Sequence, residues 1–333
     1  ITDHYSRLKI AVVGDFCLDR YLEIDPAREE TSIETGLPVY NVTHVRSQPG
    51  GAGTIVNNLS ALGICEIFPI GFCGDDGEGF ELKKSLGDLP GVAMKHFIPT
   101  SQRRTFTYCK PLIVRSHAAP VELNRLDSKN WSPTPKHLEN VLIKHLHAVA
   151  DVVDVVIVLD QVDEHGTGVV TRRVLGTIQG LSLGQRRPFF IGDSRHGFTN
   201  YPAIARKMNE AEARKLLRLN DKTSRDELLE SAAYLAHEID WPVFITLAEN
   251  GILAVSAEGN SCHRPAAPVT GAIDIVGAGD AVTANLATAI ASGATLDESI
   301  QIANSAASVV IHKLGTTGTA HVAEIGERIG LIQ

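Results

Sequence analysis

The chain of 333 residues is short of several things, and each shortage removes a class of protein. Basic residues are not in surplus: 31 Lys and Arg stand against 39 Asp and Glu, a formal net charge of -8. A nucleic-acid or anionic-membrane surface needs a basic face, so neither is expected as the main partner. No apolar run approaches the ~20 residues of a membrane span, and no basic-apolar-small leader opens the sequence. The five cysteines, Cys17, Cys65, Cys73, Cys109 and Cys262, are scattered and never spaced Cys-x-x-Cys. Reduced thiols and a cytoplasmic location are therefore expected. A Gly-x-x-x-x-Gly-Lys-Ser/Thr stretch is missing, which argues against a P-loop protein. No Gly-x-Gly-x-x-Gly follows the first strand, which counts against a dinucleotide-dependent oxidoreductase. Internal repeats and low-complexity tracts are also absent.

What is present is apolar material for a sizeable core, 44% of residues, cut into alternating strand and helix patterns. Residues 9–15 read as a buried strand with a polar tip, and 152–159, 188–191, 203–207 and 243–247 as further strands. Helical patterns fall at 50–62, 77–86, 134–150 (with Pro135 at the first helical position), 169–178 and 209–217. Ser224 with Glu227, and Thr295 with Glu298, are capping boxes that open two more. Such alternation implies a mostly parallel central sheet with helices on both faces. Two stretches break it, each with strand patterns and charged residues. They are expected to form a small β-sheet lid, inserted at about 16–48 and 103–127 into one α/β domain spanning 1–333.

The densest chemistry lies in Asp274-Ile-Val-Gly277-Ala278-Gly279-Asp280, followed by a small, apolar helix that stops near Gly293. Glycines opening a helix leave several backbone N–H groups aimed at one spot, at the positive end of the helix dipole. Asp280 in that turn would repel a phosphate, unless it accepts a proton from a hydroxyl attacking phosphorus. The bland reading is an acidic residue complementing a helix start. Asp15 and Asp19, at the tip of the first strand, suit a ligand offering paired hydroxyls, such as a sugar; alternatively they lie in a solvated loop. Gly50 and Gly51 let backbone approach a ligand, or merely pack a helix on a strand. Asn209 and Glu212 open a helix, where they either complement its dipole or hold a hydrated Mg²⁺ near phosphates. Arg103, Arg104 and Arg125 are solvated charges or guanidinium forks for a sugar phosphate. Histidines 137, 145 and 147 share no ligand spacing, and Asp160, Asp163, Glu164 and His165 form a polar loop without defined metal geometry.

Together these residues resemble the ribokinase-like (phosphofructokinase-B) carbohydrate kinases over nearly the whole chain. Ile275 to Ala284 matches the family's Gly-Ala-Gly-Asp signature. Pro49 to Gly53 with Asn58 and Leu62-Gly63 matches its amino-terminal signature, Asn209-x-x-Glu212 its magnesium-phosphate motif, and Thr246 to Gly251 its nucleotide loop. Within the family the likeness is nearest to the heptose-7-phosphate kinases, through Val13 to Tyr21, Leu37 to Val42, Arg46 to Gly53, Asn124 to Asp127, and Asp193 to Glu212. The resemblance implies an ATP- and Mg²⁺-dependent sugar kinase that forms a homodimer through its lid. It makes Asp280 the general base, with the Gly277, Ala278 and Gly279 amides stabilising the transferred group. Asp15, Asp19, Gly50, Gly51, Thr54, Asn58, Arg103 and Arg125 would face the sugar. Asn209, Glu212, Thr246, Ala248, Gly251, Asn304 and Ser308 would face the nucleotide and its metal. The departures gather on the sugar side. Thr54 stands where relatives commonly carry Asn, Leu159-Asp160-Gln161 with His165-Gly166 replaces Ser-Asp-Tyr with Lys-Gly, and residues 30–36 lack a Ser-Pro-Glu pattern. Ala248 also replaces a glycine of the nucleotide loop. A non-catalytic sugar and nucleotide sensor on the same scaffold is the alternative.

Overall fold

The chain leaves its main sheet twice at neighbouring points, and this places the site. In the computed structural model, which describes residues 1–116, 118–184, 188–220 and 222–332, strand β1 (Lys9–Gly14) passes through Asp15 directly into β2 (Phe16–Ile24). A short hairpin follows, β3 (Glu30–Thr31) and β4 (Pro38–Val39), and then β5 (Val42–Gly51) returns antiparallel to β2. Helix α1 (Ala52–Ala61) begins where Ala52 N–H donates to the Asp15 carbonyl at 3.0 Å. Both exits therefore meet at Asp15 and Gly51. Gly51 has φ +56°, and a Cβ there would lie 2.5 Å from the Asp15 carbonyl, so only glycine fits this crossing.

The next elements are β6 (Glu66–Gly74), α2 (Gly77–Gly87), β7 (Phe97–Thr100) and β8 (Phe106–Ile113). They are followed by β9 (Val121–Glu122), β10 (Leu126–Ser128), α3 (Lys136–Ala150), β11 (Val155–Asp160), α4 (Arg172–Ser182) and β12 (Phe189–Ser194). The carboxyl-terminal half holds β13 (Ala205–Asn209), α5 (Glu210–Leu217), α6 (Arg225–Ile239), β14 (Val243–Thr246), β15 (Ile252–Val255) and β16 (Ser261–Arg264). It ends with α7 (Ala278–Ala291), α8 (Leu296–Val310) and α9 (Val322–Ile332).

The central sheet runs β16-β15-β14-β13-β12-β11-β1-β6-β7. From β7 to β14 all neighbours are parallel, and β15 and β16 add an antiparallel edge. Ile10 to Val13 and Val155 to Val158 are fully buried, as strands covered on both faces must be. Helix α7 packs between α1 and α8 over the middle of the sheet. The second sheet, β10-β8-β2-β5 with β9 on β8, stands over the carboxyl ends of the first.

Several boundaries differ from the sequence reading. Pro135 caps α3 rather than entering it. A single-turn helix at Met94–His96 leads into β7. The second lid stretch, expected at about 103–127, carries the continuous strand β8. Helix α9 was not anticipated, because Gly326 and Gly330 dilute its helical period.

Candidate active site

Gly277 is the N-cap of α7, at φ +83°, and a Cβ there would lie 2.4 Å from Thr317 Cγ2. The left-handed turn and the crowding both demand glycine. The Ala278 amide turns back to the Ile275 carbonyl at 3.2 Å, and Ala281 N–H donates to the Gly277 carbonyl. The Gly279 and Asp280 amides remain free in the first turn. This corrects the expected ring: Ala278 is spent, and the available donors are its neighbours.

Asp280 opens into a pocket of about 570 Å³ at the carboxyl ends of the parallel strands, shared with Asp19, Gly51, Thr54, Lys110, Arg125 and Arg195. Burial, then the nearby Asp193, push the Asp280 carboxyl up to about 7, against the pull of Lys207 and Arg195. Beneath the turn, Lys207 Nζ donates to Asp193 Oδ2 at 2.8 Å, and Thr283 Oγ1 to the same oxygen at 3.1 Å. Burial works against the Lys207 charge, but Asp193, Asp280 and Glu212 outweigh it and hold its pKa up. Its ammonium lies 3.2 Å from where a Gly279 Cβ would sit, so a charged lysine underlies the anion turn.

At the other end of the pocket, Asp19 is nearly buried, and burial raises its pKa while Lys110 and Arg125 oppose the shift. Arg125 forks onto Asp127, with Nε–Oδ1 3.2 Å and Nη2–Oδ2 2.7 Å, and lies 4.9 Å from the centre of the Tyr108 ring. Arg195, with the Gln161 amide oriented to satisfy its neighbours, donates to the Gln161 oxygen from Nη2 at 2.6 Å and Nε at 3.0 Å. Its partner is neutral, so its charge is available to the pocket.

Four expected sugar contacts lie elsewhere. Asp15 is 1% exposed and accepts from the Gln161, Val162 and Val169 amides at 2.8, 3.1 and 2.6 Å. It staples the loop after β11 instead of facing the pocket. Asn58 is fully buried one turn below Thr54, whose carbonyl it meets at 3.0 Å. Arg103 is buried against Ser132, donating to its Oγ at 3.1 Å and its carbonyl at 2.9 Å. Gly50 packs on the lid strand β2, where a Cβ would lie 2.6 Å from Asp19 Oδ2. Gly51 and Thr54 do line the pocket.

On the other flank, Asn209 and Glu212 form a reciprocal capping box, each amide 2.8 Å from the other's side-chain oxygen. Asn209 lies beside Thr246 in the β13–β14 register. Ala248 holds φ +50° in the next turn, and Gly251 is held to glycine by the Arg264 carbonyl. Asn304 ties to the Arg264 carbonyl at 2.9 Å, while Ser308 Oγ accepts from Arg328 at 2.8 Å. The residues the sequence reading passed over are Lys207, Asp193, Arg195 and Lys110. Lys207 could have been found, since it lies two positions before Asn209 on one face of β13.

Residues 7–322 match the profile of the pfkB family carbohydrate kinases. This chain belongs to that family. As a carbohydrate kinase, it is a phosphotransferase acting on an alcohol group. Among curated relatives it is similar to the bifunctional protein HldE of Azorhizobium caulinodans, 29% identical over 92% of this chain and 61% of that protein. It is 30% identical to the HldE of Trichlorobacter lovleyi over 98% of this chain and 64% of that one. The kinase thus spans about 61% to 64% of the length of these relatives. In fold it is similar to Escherichia coli phosphofructokinase-2 in complex with substrates and products, at TM-score 0.73 and 16% identity over 97% of this chain and 99% of that one. Arabidopsis thaliana ribokinase complexed with ribose and ATP gives 0.67 and 17% over 97% and 98%. Among the described residues no helix is long and apolar enough to cross a membrane.

Proposed function

We propose that this carbohydrate kinase transfers the γ-phosphoryl group of ATP to a hydroxyl of a sugar phosphate of the heptose 7-phosphate kind. The observation that carries the reading is the position of Asp280, in the first turn of α7 and in one pocket with Asp19 and Arg195. Asp19 accepts a sugar hydroxyl, while Arg125, Lys110 and Arg195 offer cations to the sugar's own phosphate. Asp280, with its pKa lifted to about 7, takes the proton from the attacking hydroxyl. The free Gly279 and Asp280 amides, with Lys207 beneath them, meet the charge that develops on the transferred group. Thr246 to Gly251, Asn304 and Ser308 flank the nucleotide.

No group of three or more His, Cys, Asp or Glu side chains able to hold a metal occurs among the described residues. The donors at hand are hard oxygens, and Glu212 keeps one carboxylate oxygen beyond its cap bond. That fits Mg²⁺, which retains waters and uses few carboxylates. When bound, it would neutralise charge on the β- and γ-phosphates from Glu212 and Asn209. The second sheet acts as a lid over the sugar, and its outward apolar residues, among them Val42, Val45 and Leu126, favour pairing into a dimer. A sensor would not need a raised carboxyl beside an amide-lined turn, so turnover is favoured.

An ADP-release screen over heptose 7-phosphate, fructose 6-phosphate and unphosphorylated sugars tests the substrate. Heptose 7-phosphate should give the highest kcat/KM; preference for an unphosphorylated sugar would overturn that part of the reading.

A further inference from the structure

Behind the loop that follows β11 lies a second cavity, of about 950 Å³. Arg172, Gly176 and Gln179 line one side of it, three or four residues apart and so on one face of α4. Gly176 leaves that face open, since a Cβ there would meet nothing within 4 Å. The turn around Asn200 lies opposite. Between them sits Asp160, the last residue of β11 and only 9% exposed. Its Oδ2 accepts from Ser194 Oγ at 2.8 Å, and among the described residues no donor reaches its other oxygen. Burial, reinforced by Asp15, brings this carboxyl up to about 7, so near neutral pH it can accept or donate a hydrogen bond. His165 and His196 stack at one edge, with ring centroids 3.7 Å apart. Arg172 makes no ion pair among the described residues and stands at the first turn of α4, where the helix dipole adds to its charge.

We propose that this cavity is a second ligand site, separate from the active pocket, for a small polyhydroxylated anion. The anionic group meets Arg172 and the opening of α4, and the hydroxyls meet Asp160 and the His165–His196 pair. A cavity with a polar group waiting at its base, an open helix face and one uncompensated cation is the arrangement such a molecule fills. It shares a wall with the active pocket: Asp160 and His165 face the cavity, Gln161 and Asp163 the catalytic side. Arg195 N–H donates to the Asp160 carbonyl at 3.0 Å, so an occupant presses on the residue that presents Arg195.

Glycerol 3-phosphate is the probe, titrated calorimetrically into the whole chain, with glycerol and inorganic phosphate as separate arms. The wild-type protein should bind it at least tenfold more tightly than phosphate, and the imidazole C–H resonances of His165 and His196 should shift. Arg172→Ala should weaken binding at least tenfold, and Gly176→Trp, which puts an indole into the cavity, should weaken it at least tenfold as well. Both variants should keep probe-free turnover within twofold. Absence of binding, equal binding of phosphate, or binding unchanged in both variants would overturn the proposal. The last result would place the probe in the active pocket. Failure to phosphorylate any sugar would leave this outcome untouched, so the two readings fail separately.

Discussion

The two ends of the active pocket are built differently. At the α7 end every feature is held by backbone geometry or by buried charge: a left-handed Gly277 against Thr317, two free amides, and the Lys207–Asp193 pair beneath. At the lid end, Arg125 and Lys129 are tied to Asp127 and Asp163 on partly exposed ion pairs, which solvent screens. Change at the first end breaks the turn or strands a charge. Change at the second removes an ion pair that solvent already weakens.

The largest expected effect breaks the first end. Asp280→Asn should lose about 10²–10⁴-fold in kcat, with nucleotide affinity by calorimetry little changed; near-wild-type turnover would remove Asp280 from the mechanism. Next, Lys207→Met leaves Asp193 uncompensated under the turn and should cost about 3 kcal/mol in urea unfolding. An unchanged unfolding midpoint would show that the pair is not held as described. At the second end, Arg125→Ala should raise KM for a sugar phosphate on the order of tenfold with kcat largely retained. Arg103→Ala should do the reverse, losing roughly 2 kcal/mol of stability with KM unchanged. Should Arg103→Ala be the variant that raises KM, the assignment of phosphate contacts is inverted. The smallest effect is expected at Ala248, held at φ +50°. Ala248→Gly should gain about 0.5–1 kcal/mol by releasing left-handed strain; a loss would mean that the loop depends on the alanine methyl.

Fold class was legible because the alternation from Lys9 to Val255 has strong periods, and the Gly277–Asp280 turn because glycine is the residue that such a turn demands. Roles that depend on which way a side chain leaves the backbone were not legible. Asp15 and Asp19 look alike in sequence, yet three amides capture Asp15 while Asp19 lines the pocket. Arg103 and Arg125 differ in the same way, one held by Ser132 inside and the other forked at the pocket. Lys207 went unnoticed because its partner, Asp193, comes from the neighbouring strand and is 14 residues away. The Ala278 amide was misjudged because only the turn's own hydrogen bond to Ile275 shows that it is occupied.

The account stands on an acid whose proton affinity is raised so that it can act as a base at the mouth of α7. Its most direct test is the pH dependence of kcat/KM in the wild type and in Asp280→Asn. Because the acting form is the carboxylate, wild-type activity should rise with pH and level off above an apparent pKa near 7, the value to which burial brings Asp280. The rise should vanish from the residual activity of the variant. The same ascending limb in both proteins would assign the proton to another group and contradict the central claim.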